Sequence, residues 1–214
     1  MFRAIVLVVA AFFLASCAFH KASCALTPSN PLCASTGPVV EELLIPPTRI
    51  TQKGYSLVPL NEKGWSMRGR TPVQLALGKL AENPDESFVI HATMVKVGPY
   101  KTKEDFVRLI KDSQARDADP QRFKSLKHDV TAYTENATEC AKSHSVAEDN
   151  AAARASGNKG IMILEVLSLA CAHPKDKSVA VYIGFSQRYY AGHRDSAFMD
   201  KANTVLSSLE FSDL

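Results

Sequence analysis

The segment from Ile161 to Cys171 is apolar on both of its alternating faces. Ile161, Ile163, Leu167 and Leu169 share one face, and Met162, Leu164 and Val166 share the other. A strand with only one buried face alternates apolar and polar residues; this one does not. It reads as a central strand with a packed layer on each side. Pro174-Lys175-Asp176-Lys177 follows as a tight turn. Val179, Val181, Ile183 and Phe185 then alternate cleanly as the next strand.

The remaining elements fit around that pair. Tyr55–Pro59 and Trp65–Arg70 read as short strands split by the turn Asn61-Glu62-Lys63-Gly64. Val73, Leu75 and Leu77 mark a half-buried strand. Asn83-Pro84-Asp85 is a turn, and Ser87–Val97 a strand. Thr102 suits a helix N-cap, with Glu104 and Asp105 in the first turn. Phe106, Leu109, Ile110 and Ser113 lie on one helical face. Glu104–Arg108 and Arg108–Asp112 are candidate ion pairs on another. Phe123–Tyr133 reads as a further strand. Asp195 or Ser196 caps a last helix with the stripe Phe198, Ala202, Val205, Leu206 and Leu209. Strands arrive in runs, so the class is α+β with a mainly antiparallel sheet and two helices.

The first 17 residues read MFRAIVLVVAAFFLASC. Ala4–Leu14 is an apolar run of 11 residues behind Arg3. A membrane span needs about 20, whereas a secretory h-region fits this length. Leu14-Ala15-Ser16-Cys17 resembles the lipobox of bacterial lipoproteins. That resemblance implies cleavage after residue 16 and acylation of Cys17, including palmitate. Ala18 at the next position implies outer-membrane sorting, facing the periplasm. Residues 17–51 hold Pro28, Pro31, Pro38, Pro46 and Pro47 and read as a lipidated tether. The single α+β domain is expected over residues 52–214.

Four cysteines remain in an exported chain, which favours disulfides over a zinc site. Sequence closeness suggests Cys24–Cys33 and Cys140–Cys171. A hairpin turning at Ser156-Gly157-Asn158 pairs residues whose numbers sum to about 311–314. Cys140 and Cys171 sum to 311, so they fall nearly opposite, within disulfide reach.

Three segments carry a wider resemblance: Gly64-Trp65-Ser66, Cys171-Ala172-His173-Pro174, and the closing helix into Leu209-Glu210-Phe211. With Ser186-Gln187-Arg188-Tyr189-Tyr190 they are similar to a group of uncharacterised proteobacterial lipoproteins. The element order from 52 to 212 resembles the Mog1/PsbP-like α/β/α sandwich. That fold hosts adaptors and assembly factors and implies no catalytic residues.

Several side chains could carry chemistry. Glu165 interrupts the apolar strand, and a buried carboxylate needs a partner. With a turn at 174–177, paired residues sum to about 351, which puts Arg188 nearly opposite Glu165. Gln187, Arg188, Tyr189, Tyr190, His193 and Arg194 form the densest cationic and aromatic patch. Glu165, Arg188, Tyr189, Tyr190 and His193 are therefore the candidate binding residues, as a pocket floor between helix and sheet. Cys140, His144 and Glu148 would share a helical face, but a strand with a disulfide is expected there. His173 beside Cys171 could form a nucleophile pair only with a free thiolate.

The sequence has no Gly-x-Ser-x-Gly, Walker loop, Gly-x-Gly-x-x-Gly or His-Glu-x-x-His. No catalytic residue, metal site or cofactor is assigned. The formal charge of +3 is dispersed, which argues against nucleic acid as a partner. The expectation is a non-enzymatic envelope module with a protein partner. A small-ligand or lipid-binding lipoprotein is the alternative, and a hydrolase the weaker one.

Overall fold

The computed structural model describes residues 41–135 and 138–214. Seven antiparallel strands form the main sheet, in the order β3-β4-β5-β9-β8-β7-β6. They are β3 (Ser66–Arg70), β4 (Gln74–Leu80), β5 (Ser87–Lys96), β6 (Phe123–Glu135), β7 (Thr138–Asp149), β8 (Met162–His173) and β9 (Asp176–Tyr190). A three-stranded sheet, β1-β2-β10, combines β1 (Ile50–Gln52), β2 (Tyr55–Leu57) and β10 (Glu210–Phe211). The described helices are α1 (Lys103–Asp117) and α2 (Phe198–Ser207). The fold class is α+β.

The doubly apolar strand is β8, and it lies inside the sheet between β9 and β7. On one face Leu167, Leu169, Ile183 and Phe185 pack with Phe198, Ala202, Val205 and Leu206 of α2. Tyr55, Leu57 and Trp65 join that layer. On the other face Ala170, Ala172 and Ala180 receive Phe106 and Ile110 of α1. Small residues there let the helix approach closely. Leu164 and Val166 on the same face are only half-buried, so that layer is thinner than the sequence pattern suggests.

Local chemistry explains the ends of the elements. Thr102 Oγ1 accepts from the Asp105 N–H at 3.1 Å, and Asp105 Oδ2 accepts from the Thr102 N–H at 3.2 Å. This is a capping box. Asp105 also takes Arg108, in place of the expected Glu104 and Asp112 partners. The last helix differs from expectation: its N-cap is Ala197, with no side-chain cap bond. Asp195 instead accepts from the Ala197 N–H at 2.8 Å, one turn element earlier. Gly54, at φ +83°, makes the two-residue hairpin between β1 and β2.

The domain reaches further back than Gln52. Met67 N donates to Glu41 O at 3.0 Å, and Leu43 N to Trp65 O at 2.8 Å. Arg49 binds Glu210 at 2.9 Å and Ser208 O at 2.9 Å. Residues 41–51, expected as tether, therefore belong to the compact unit Glu41–Leu214. Proline content had suggested a free segment, but the backbone between the prolines still pairs. Cys17, Cys24 and Cys33 lie outside the described residues.

Candidate functional site

Cys140 pairs directly with Cys171 across β7 and β8, and the two form a disulfide. The predicted register is the observed one. The connection is a loop over residues 150–161 rather than a tight turn. The disulfide leaves no thiolate beside His173. That ring is fully buried, with Nδ1 accepting from Lys175 N at 3.2 Å. Nε2 faces Gly54 O at 3.2 Å and Ser212 O at 3.1 Å, tying β8 to the small sheet. Cys140, His144 and Glu148 do share a face, but of a strand, and each has a different partner.

The candidate patch sits at one end of the sheet, where β5 and β8 begin and β7 and β9 end. Four buried carboxylates gather there: Asp85, Glu86, Asp149 and Glu165. The candidate residues do not line one pocket. Arg188, Tyr189 and Tyr190 alternate along β9, His193 follows its end, and these four run to different carboxylates, one of which is Glu165 on β8.

Glu165 takes Arg194 through two bonds, Nε at 2.7 Å and a terminal nitrogen at 2.9 Å. Those two bonds take one carboxylate oxygen each; His144 Nε2 lies 2.8 Å from Oε1, and the Tyr189 hydroxyl donates to Oε2 at 3.1 Å. Lys127 Nζ is 3.1 Å from His144 Nδ1. An ammonium only donates, so the geometry fits a ring carrying its proton on Nε2. Burial pushes the Glu165 carboxyl up, but the bonds from Arg194 and His144 outweigh it and hold it below its ordinary range. Burial and the Glu165 charge push the Tyr189 hydroxyl up to about 12.

Arg188 is not the partner of Glu165, which corrects the sequence expectation. Glu165 stands opposite Gln187, and Arg188 opposite Leu164. A one-residue difference in register moves a side chain to the other face. Arg188 binds Asp149 at 3.0 Å instead. Asp149 also holds Arg122 through bonds of 2.9 and 3.0 Å and accepts from Ala151 N at 3.2 Å. Burial raises its pKa, yet the Arg122 bonds and the Arg188 charge leave it lowered.

Tyr190 donates to Asp85 at 2.6 Å. Asp85 also accepts from the Ser156 N–H at 2.9 Å, the Ser156 hydroxyl and the Ala155 N–H. Those bonds hold Asp85 far below the usual carboxylate range. His193 Nδ1 lies 2.8 Å from Glu86, which accepts from Tyr190 N at 3.2 Å.

The chemistry of the cluster follows. A carboxylate filled by charge-assisted bonds and held ionised is a poor proton donor and a weak base. Asp85, Asp149 and Glu165 are held in that way, and together with Glu86 they fasten the 150–161 and 191–197 loops to the sheet end. Asp85, Glu86, Asp149 and Arg122 went unsingled in the sequence. Apart from the Ala151 N–H on Asp149, the hydrogen-bond and ion-pair partners of their side chains lie 27 to 107 residues away, so no local pattern marks them. A separate groove of about 430 Å³ opens between α2 and the β6–β7 hairpin. Its lining includes Tyr133, Lys142, Leu169, Asp200, Asn203 and Leu206, and none of the five candidate binding residues.

No family model matches the sequence, and no curated protein sequence matches it. Among solved structures, the chain is similar to the solution structure of cyanobacterial PsbP (CyanoP) from Synechocystis sp. PCC 6803. The identity is 14%, over 86% of this chain and 100% of that one, with a TM-score of 0.44. That is a weak likeness of fold.

Proposed function

We propose that this chain is a membrane-anchored lipoprotein of the bacterial envelope, facing the periplasm, whose α+β domain binds or assists an envelope protein. The observation that carries the reading is the Cys140–Cys171 disulfide joining two interior strands behind a lipobox-like N-terminus. Disulfides persist in oxidising compartments, which agrees with export. The committed state of the buried carboxylates favours a binding role over catalysis. Membrane partition of the full chain tests the anchor. The wild type should pellet with membranes and take up a labelled fatty acid, and Cys17→Ala should do neither. Equal partition of both would overturn it.

The groove beside α2 favours a second reading, a module for a small polar ligand. Its volume is in the range of ligand pockets. Native mass spectrometry of gently purified protein should then show a retained adduct that Asn203→Leu abolishes. Clean peaks without adducts would remove this reading.

A further inference from the structure

The groove between α2 and the β6–β7 hairpin is lined by one cation and one anion, Lys142 and Asp200. The two faces of α2 explain how they meet there. Phe198, Ala202 and Val205 turn to the core. Asp200, Asn203, Thr204 and Ser207, at i, i+3, i+4 and i+7, share the face along the groove. Across from them β7 sets Lys142 beside Leu169. Leu169 and Leu206, both buried, close the floor. The Lys142 ammonium lies 5.1 Å from the centre of the Tyr133 ring and donates to Asn203 Oδ1 at 3.0 Å. Among the described residues, neither Lys142 nor Asp200 forms an ion pair.

The polar groups sort into a donor end and an acceptor end. Lys142 carries three N–H bonds and spends one on Asn203, whose own amide nitrogen adds further donors. The Asp200 carboxylate only accepts. Thr204 Oγ1 donates to Asp200 O at 2.9 Å, which leaves its lone pairs as acceptors. Asp200 and Asn203 are three residues apart, about 4.5 Å along the helix axis. A simple anion drawn to Lys142 meets the Asp200 charge, and a simple cation drawn to Asp200 meets Lys142. A molecule carrying an oxyanion and an ammonium a few bonds apart satisfies both ends together.

We propose that this groove binds a small zwitterion, its oxyanion on Lys142 and Asn203 and its ammonium on Asp200 and Thr204. The inference rests on the second reading above, that the groove is a ligand site, and adds the charge pattern of the ligand. An α-amino acid has this chemistry, and so does the phosphoethanolamine of a lipid headgroup.

Ligand-observed NMR titration of the full chain in a non-ionic detergent tests this. The probes are alanine, phosphoethanolamine, propionate (which lacks the ammonium) and ethylamine (which lacks the carboxylate). Alanine or phosphoethanolamine should bind at least about fivefold more tightly than either single-charge probe. Tighter alanine assigns the site to a free amino acid, and tighter phosphoethanolamine to a headgroup. Lys142→Gln should remove the zwitterion's advantage over ethylamine but keep its advantage over propionate. Asp200→Asn should do the reverse, a crossed pattern that general loss of fold does not produce. The proposal is overturned if zwitterions bind no more tightly than the single-charge probes, or if their advantage survives both substitutions. A retained adduct that Asn203→Leu abolishes, without any preference for zwitterions, overturns the proposal and leaves the ligand reading standing. No adduct and no binding of any probe removes both.

Discussion

Glu165→Gln removes the charge at the centre of the Arg194, His144 and Tyr189 cluster while keeping the volume. Breaking a buried ion pair on one side costs about 3–5 kcal/mol when the other charge stays buried. Here Arg194 keeps 38% of its side chain exposed and His144 21%, so both regain water. Gln can still accept from Tyr189. The expected cost is therefore about 2–3 kcal/mol, or about 5–10 °C in Tm for a domain of this size. The folded-state pKa of Glu165 lies below its ordinary value. Its contribution is thus complete above the unfolded pKa of about 4.3 and lost as pH falls through the folded value. Urea unfolding followed by circular dichroism should show the gap between wild type and variant at pH 7. The gap should close as the pH drops below the ordinary carboxylate range. A gap under about 0.5 kcal/mol at pH 7, or one that acid leaves unchanged, would refute the reasoning.

Asp149→Asn should cost more, about 3–5 kcal/mol, because Asp149 is fully buried and Arg122 and Arg188 expose only 14% and 26% of their side chains. The same unfolding assay ranks the two variants. Replacing both Cys140 and Cys171 by Ala should lower stability by about 3–4 kcal/mol, given their separation of 31 residues; reductant should then no longer shift the urea midpoint of the variant. Thr102→Ala should cost about 1 kcal/mol by removing the capping box, read from the same midpoint. Burial pushes the His91 ring down to about 4, so its NMR titration should fall near that value. Its share of stability should be present above the ordinary histidine pKa and lost as pH drops toward 4.

The sequence exposed one register and hid another. Cys140 and Cys171 fell opposite because β7 and β8 pair without interruption from Cys140 to Glu148. Glu165 and Arg188 were displaced because a bulge lies between Ala172 and His173. The paired numbers sum to 349 at His173 and Asp176 but to 352 from Ala172 and Ala180 onward. A turn after His173 was legible from its residues, although it closes in Pro174–Lys175 rather than over 174–177, whereas the bulge beside it leaves no compositional mark. That single offset decides which face Arg188 occupies, and so which carboxylate it meets. The helices were legible from their apolar stripes, and α1 from its cap. The carboxylate cluster was not, since it is assembled by chain segments far apart in sequence. Packing of residues 41–51 was hidden for a related reason: their partners, Trp65, Met67, Ser208 and Glu210, are remote.

The central claim joins an anchored N-terminus to an oxidised core hairpin. Intact mass of the cell-purified chain, with and without reduction before alkylation, tests both parts at once. The account predicts a mass for cleavage before Cys17 plus acyl chains, with Cys140 and Cys171 alkylated only after reduction. An unacylated mass with Cys140 and Cys171 alkylated without reduction would contradict it.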